Sequence, residues 1–132
     1  MQIQKVSYRG WTNCIQMSNG LVELIVTTDV GPRIMHCGFQ GGKNLFYENP
    51  EDAGKTGGDS WRIYGGHRLW HAPEDPVRTY AADNFAVEVE VLSDGIRLTA
   101  PVEPNQVQKT IEIHFAETTP VIKINHKLQN LG

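Results

Sequence analysis

The sequence predicts an all-β chain, an antiparallel β-sandwich, and three observations carry that prediction. Apolar and polar residues alternate with a period of two through most of the length. Short runs rich in Val, Ile and Thr are punctuated by Gly, Asn, Asp and Pro at intervals of about 8–12 residues. No segment carries the 3.6-residue apolar stripe of a helix.

The elements follow in order. Trp11 to Met17 reads as a strand, and Asn19-Gly20 is a hairpin turn into Leu21 to Thr28. Gly31-Pro32 punctuates the start of Arg33 to Phe39, and Asn44 to Tyr47 is a shorter strand after Gly41-Gly42. Phe85, Val87, Val89 and Val91 alternate with Ala86, Glu88, Glu90 and Leu92, and Asp94-Gly95 turns the chain into Ile96 to Ala100. Val107 to Phe115 sets Ile111, Ile113 and Phe115 inward. Thr118-Thr119-Pro120 then leads to Val121 to Gln129, where Ile122, Ile124, His126 and Leu128 share a face. His36 alternates with Ile34 and is expected to face the same interior. His114 sits with Glu112 on the polar side, and His126 reads as a hydrogen-bonded core histidine. Between the two halves, Glu48 to Asp83 is a long irregular stretch in which only Trp61 to Tyr64 suggests a strand.

Composition bounds the rest. A chain of 132 residues suits a single domain, residues 1–132, with 39% hydrophobic and 20% charged residues, too balanced for a disordered tail. A net charge of −3 argues against a nucleic-acid partner. No apolar run nears the roughly 18 residues of a membrane span. Met1 to Lys5 lacks the apolar core of a signal peptide, so a cytoplasmic chain is expected. Cys14 and Cys37 lie far apart with no CxxC spacing. Reduced thiols are expected, with one disulfide left open.

Chemistry concentrates in Asp59 to Asp75, which holds two His, two Arg, three acids and three large aromatics around Gly65-Gly66. Aromatic faces stack on the apolar faces of sugar rings, while Arg, His and carboxylates hydrogen-bond hydroxyls, so the mixture suits a carbohydrate. Trp61, Tyr64 and Trp70 would also serve as a plug for one end of a sandwich, with the charges solvating its rim. His67, His71 and Glu74 invite a metal reading. The Gly pair before them and Pro73 after them rule out the helix that would align the ligands, so neither metal nor other cofactor is expected. No GxSxG, P-loop, HExxH or dinucleotide fingerprint is present.

Asp29-Val30-Gly31-Pro32-Arg33-Ile34-Met35, followed by Gly42-Lys43-Asn44-Leu45-Phe46-Tyr47, resembles the opening of galactose mutarotase-like (aldose 1-epimerase-like) proteins. Tyr64 to Glu74 is similar to an uncharacterised branch of that superfamily. The resemblance implies a large antiparallel β-supersandwich with a sugar-binding cleft on one concave sheet, of which this chain is the N-terminal part. It also implies aldose 1-epimerase-like isomerase chemistry, ring opening by a His acid and a Glu base from later parts of the fold. No position here matches either residue, so the isolated chain is expected to be inactive. Where hexose-phosphate mutarotases have an Arg before the Gly pair, this chain has Tyr64, with Arg62 two residues away. The expected ligand contacts are Arg62, His67, Arg68, Trp70, His71 and Glu74, with a small-molecule sugar as partner. The alternative is a non-catalytic binding module that completes its sheets as a homodimer through the Val121–Gln129 edge.

Overall fold

The computed structural model describes residues 1–132. Nine strands form in chain order: β1 (Gln2–Tyr8), β2 (Trp11–Ser18), β3 (Val22–Val26), β4 (Arg33–Phe39), β5 (His67–Arg68), β6 (Glu88–Val91), β7 (Gly95–Thr99), β8 (Val107–Phe115) and β9 (Ile122–Asn130). They make two antiparallel meanders, a five-stranded sheet β1-β2-β3-β4-β5 and a four-stranded sheet β6-β7-β8-β9. The fold is all-β, and no helix is long and apolar enough to cross a membrane.

The alternation read from the sequence decides which faces meet. Met17, Leu24, Val26 and Ile34 of the first sheet and Ile96, Leu98, Ile111 and Ile113 of the second are buried in one shared core. Each such side chain contributes about 1.5–3 kcal/mol. A second cluster of Trp11, Cys14, Ile25, Val30, Met35 and Tyr64 fills the opposite face of the first sheet, beneath the segment that follows β4.

A β-bulge separates the two clusters. Ile34 lies opposite Val26 but His36 lies opposite Ile25, so Met35 is an extra residue in β4. The bulge flips the phase, and His36 leaves the interior expected for it to stand edge-on to Tyr8 on the other face. There Gln4 Nε2 donates to Gln16 (2.9 Å) and Gln16 Nε2 to Glu23 (3.3 Å), whose other oxygen is 3.4 Å from His36 Nε2. This polar row crosses four strands.

Other departures have equally local causes. Asn44 to Tyr47 is no strand: the Asn44 side chain accepts from the Cys37 and Phe46 amides (3.0 Å each) and donates to the Met35 carbonyl at 2.8 Å, supplanting backbone pairing. Trp61 to Tyr64 is not a strand either. The ladder there is a single bridge between Glu48 and Gly65, and β5 forms just beyond it. β6 is shorter than the alternation suggests because Val87 instead donates to Thr28 of the first sheet at 2.9 Å. β1 comes from a stretch without clear alternation and pairs with β2 through an Arg9-Gly10 turn, both residues at positive φ (51° and 94°).

His126 takes the inward face of β9, opposite Ile111, yet is exposed along with Leu128. The nine-residue β9 faces a β5 of only two residues, so the sandwich is open on that side.

Candidate functional site

The site begins at the double glycine. Gly65 and Gly66 have φ of +92° and +70°, and a Cβ on either would stand 2.2 Å from a backbone carbonyl, that of Tyr47 or of Ile34. Only glycine fits both the dihedrals and the space. Arg33 supports the bend from β4. Its Nη1 donates to the Gly65 carbonyl at 2.5 Å and its Nη2 to Asp83 Oδ2 at 2.7 Å. The guanidinium also stacks 5.0 Å over the Tyr64 ring. This pair is buried, with side-chain exposures of 3% and 6%, and it joins the bend to the chain ahead of β6. Tyr64 OH bonds Asn84 at 2.5 Å, reinforcing the same join.

Strand alternation then sends His67 and Arg68 to opposite faces. The Arg68 guanidinium lies between two indoles, 5.2 Å from Trp61 and 4.7 Å from Trp70, and donates to the Thr79 carbonyl. Burial draws its pKa down, and the charge of Asp83 opposes that shift. Tyr80 stands edge-on to Trp61 and Trp70, with centroids 5.0 and 6.4 Å away, and donates its hydroxyl to Glu74. Beside this stack lies a depression of about 280 Å³ lined by Trp70, His71, Ala72, Glu74 and Thr79. Trp70 is half-exposed at 49%, and His71 Nε2 is buried without a hydrogen-bond partner.

Four of the six expected contacts therefore converge: Trp70, His71 and Glu74 line the depression and Arg68 backs the indole. Arg62 does not join them. Its Nη1 reaches Tyr64 OH at 3.2 Å. His67 is also elsewhere, on the inner face, where its Nε2 meets His126 Nε2 at 2.8 Å with ring centroids 4.9 Å apart. That near end-on contact is a hydrogen bond in which one ring donates and the other accepts. Burial lowers the His67 pKa, and the neighbouring His126 lowers it further. His67 stands apart from His71 and Glu74, and no three His, Cys, Asp or Glu side chains gather as a metal ion would require.

Residues outside the six expected contacts complete the arrangement. Trp61, Thr79 and Tyr80 build the stack, and Asp83 pairs with Arg33 at the bend. His126 meets His67 across 59 positions of sequence. Its one signal in the sequence was its inward phase on β9. Lys109, in phase with Ile111, is likewise inward and pairs with Glu103 at 2.9 Å, with exposures of 2% and 7%. Cys14 and Cys37 are free thiols.

The class these features define is a two-sheet β-sandwich with an aromatic, carboxylate-edged depression beside a double-glycine bend. No family model matches the chain, and neither does any curated protein or solved structure.

Proposed function

We propose that the chain binds a carbohydrate in the depression over Trp70, as the sugar-contacting part of a galactose mutarotase-like protein. One observation carries the proposal: a half-exposed indole, backed by Arg68, forms one wall of a 280 Å³ depression with Glu74 and His71 beside it. The indole offers a flat apolar face to the C–H side of a pyranose. The Glu74 carboxylate accepts from hydroxyls, and His71 supplies a ring nitrogen in need of a partner. One stacked face with two or three hydrogen bonds is worth on the order of 4 kcal/mol net, a millimolar dissociation constant. Titrating D-glucose and D-galactose against the chain while following Trp fluorescence tests it. Saturable perturbation, abolished by Trp70→Ala, is expected, and an unmoved spectrum at tens of millimolar sugar removes the proposal. The chain alone is expected to leave the interconversion of α- and β-glucose at its uncatalysed rate. Acceleration lost on His126→Ala would instead make His126 an acid–base group.

A second reading rests on β9. A two-fold antiparallel pairing centred on His126 sets Ile124 opposite Leu128 and Lys123 opposite Gln129, so no lysine faces a lysine. That register suits a homodimer that continues the four-stranded sheet across the axis. Sedimentation tests it: a monomer at high protein concentration excludes the pairing.

A further inference from the structure

A second group of unsatisfied polar atoms lies on the far side of Tyr80 from the Trp70 depression. Two adjoining cavities open there between the chain ahead of β6 and the β7–β8 connection, of about 220 and 330 Å³. They share Ala82, Phe85 and Pro104 as lining. Asp83 and Glu103 line the smaller and Asn105 the larger. Asp83 Oδ1, Glu103 Oε2 and Asn105 Nδ2 are each buried without a hydrogen-bond partner. Both acids are more than nine-tenths buried.

Unpaired buried polar groups are few in folded proteins, and each costs about 1–3 kcal/mol. Three around one cleft therefore call for a guest that donates to two carboxylates and accepts from one carboxamide. Charge selects its class. Asp83 is neutralised by Arg33 and Glu103 by Lys109, which leaves the smaller cavity without net charge, while Asp59 lines the larger, so an anion is disfavoured in both. Phe85, Pro101 and Pro104 supply an apolar wall for C–H groups. A neutral polyhydroxy unit meets these demands together, with hydroxyls that both donate and accept and C–H groups for the apolar wall.

We infer that this cleft is a second sugar subsite, adjacent across Tyr80 to the first, with Asp83, Glu103 and Asn105 as its hydroxyl partners. The inference rests on the reading of the Trp70 depression as a sugar site, and it makes the ligand a glycan of two or more units. Tyr80 is the shared wall: its ring lines the larger cavity while its hydroxyl holds Glu74 at the rim of the depression.

The test uses reporters that separate the two claims. Two-dimensional ¹⁵N–¹H spectra of the whole chain follow the Asn105 side-chain amide and the Trp70 indole N–H during titration with maltose, lactose and cellobiose. Both signals are expected to move with one common affinity for at least one disaccharide. Asn105→Ala, which breaks no ion pair, is expected to weaken that binding about fivefold to tenfold, the value of one hydrogen bond. Movement of the Trp70 signal alone overturns the second subsite and leaves the first standing. Movement of Asn105 alone keeps the cleft and removes the Trp70 reading. With neither signal moving, both fall, and ordered water is the partner of the buried atoms. Asp83 and Glu103 variants serve poorly, since each strands a buried cation.

Discussion

Replacing Arg33 by Met is the most direct test of how the site is held. The substitution keeps an unbranched apolar stem but strands the Asp83 carboxylate, whose side chain is only 6% exposed, and leaves the Gly65 carbonyl without its donor. Removing one partner of a buried ion pair costs about 3–5 kcal/mol because the remaining charge has no compensation. Against a total stability of about 5–15 kcal/mol, that is a large share. With a urea dependence of roughly 2 kcal/mol per molar, the midpoint falls by roughly 2 M. Urea unfolding followed by Trp fluorescence reads the change. Arg33→Met combined with Asp83→Leu removes both charges and is expected to recover most of the loss. Arg33→Lys, which keeps the charge but cannot bridge Gly65 and Asp83 with one planar fork, should fall between. A single Met variant within about 1 kcal/mol of the parent would refute the reasoning. A double variant no better than the single would show that shape, not stranded charge, sets the cost.

Acid should weaken the fold through His67 and strengthen it through His114. The His67 pKa lies below its ordinary 6.5, so as pH falls through that value the unfolded chain takes up a proton that the folded chain resists, and stability drops. The Asp94 hydrogen bond raises the His114 pKa, giving stability that is present below 6.5 and lost as pH rises through the raised folded value. Urea midpoints across this range are expected to fall more steeply on acidification in His114→Ala and less steeply in His67→Asn. Gly66→Ala should destabilise by more than about 1 kcal/mol, since left-handed backbone alone costs that much and the Ile34 carbonyl must also move; a thermal midpoint within a degree of the parent contradicts this. Iodoacetamide should label Cys37 well before Cys14, which is fully buried with its pKa pushed up to about 11, and a mass spectrum showing equal labelling would contradict that order.

What the sequence disclosed was whatever short-range chemistry dictates. The Asn19-Gly20 turn is an example: Asn19 Oδ1 accepts from the Leu21 and Val22 amides at 3.0 and 3.1 Å, a purely local cap. The same side chain also donates to the Ala116 and Thr119 carbonyls, tying the hairpin to the β8–β9 turn, and nothing near Asn19 announces that. The aromatic and charged content of 59–75 marked the neighbourhood of the depression. It did not reveal that His67 points away, which requires the strand phase of a two-residue β5, or that Arg62 turns back to Tyr64 OH. His36 was misplaced by the single extra residue at Met35, invisible to any count of alternation. No local pattern marked Asp83, Glu103 and Lys109 as buried. Their burial follows from pairing between segments that meet only after the sheets form.

Ile34 and Met35 are neighbours in the chain, yet each serves a different apolar compartment, which makes β4 a party wall. Neither compartment can be emptied without stripping the other, so both are expected to resist protease together. Residues 71–78 lend no side chain to either one. Trypsin should therefore nick first after the exposed Arg78, in the segment that bears His71 and Glu74. Part of the depression's edge is therefore chain that neither apolar compartment holds.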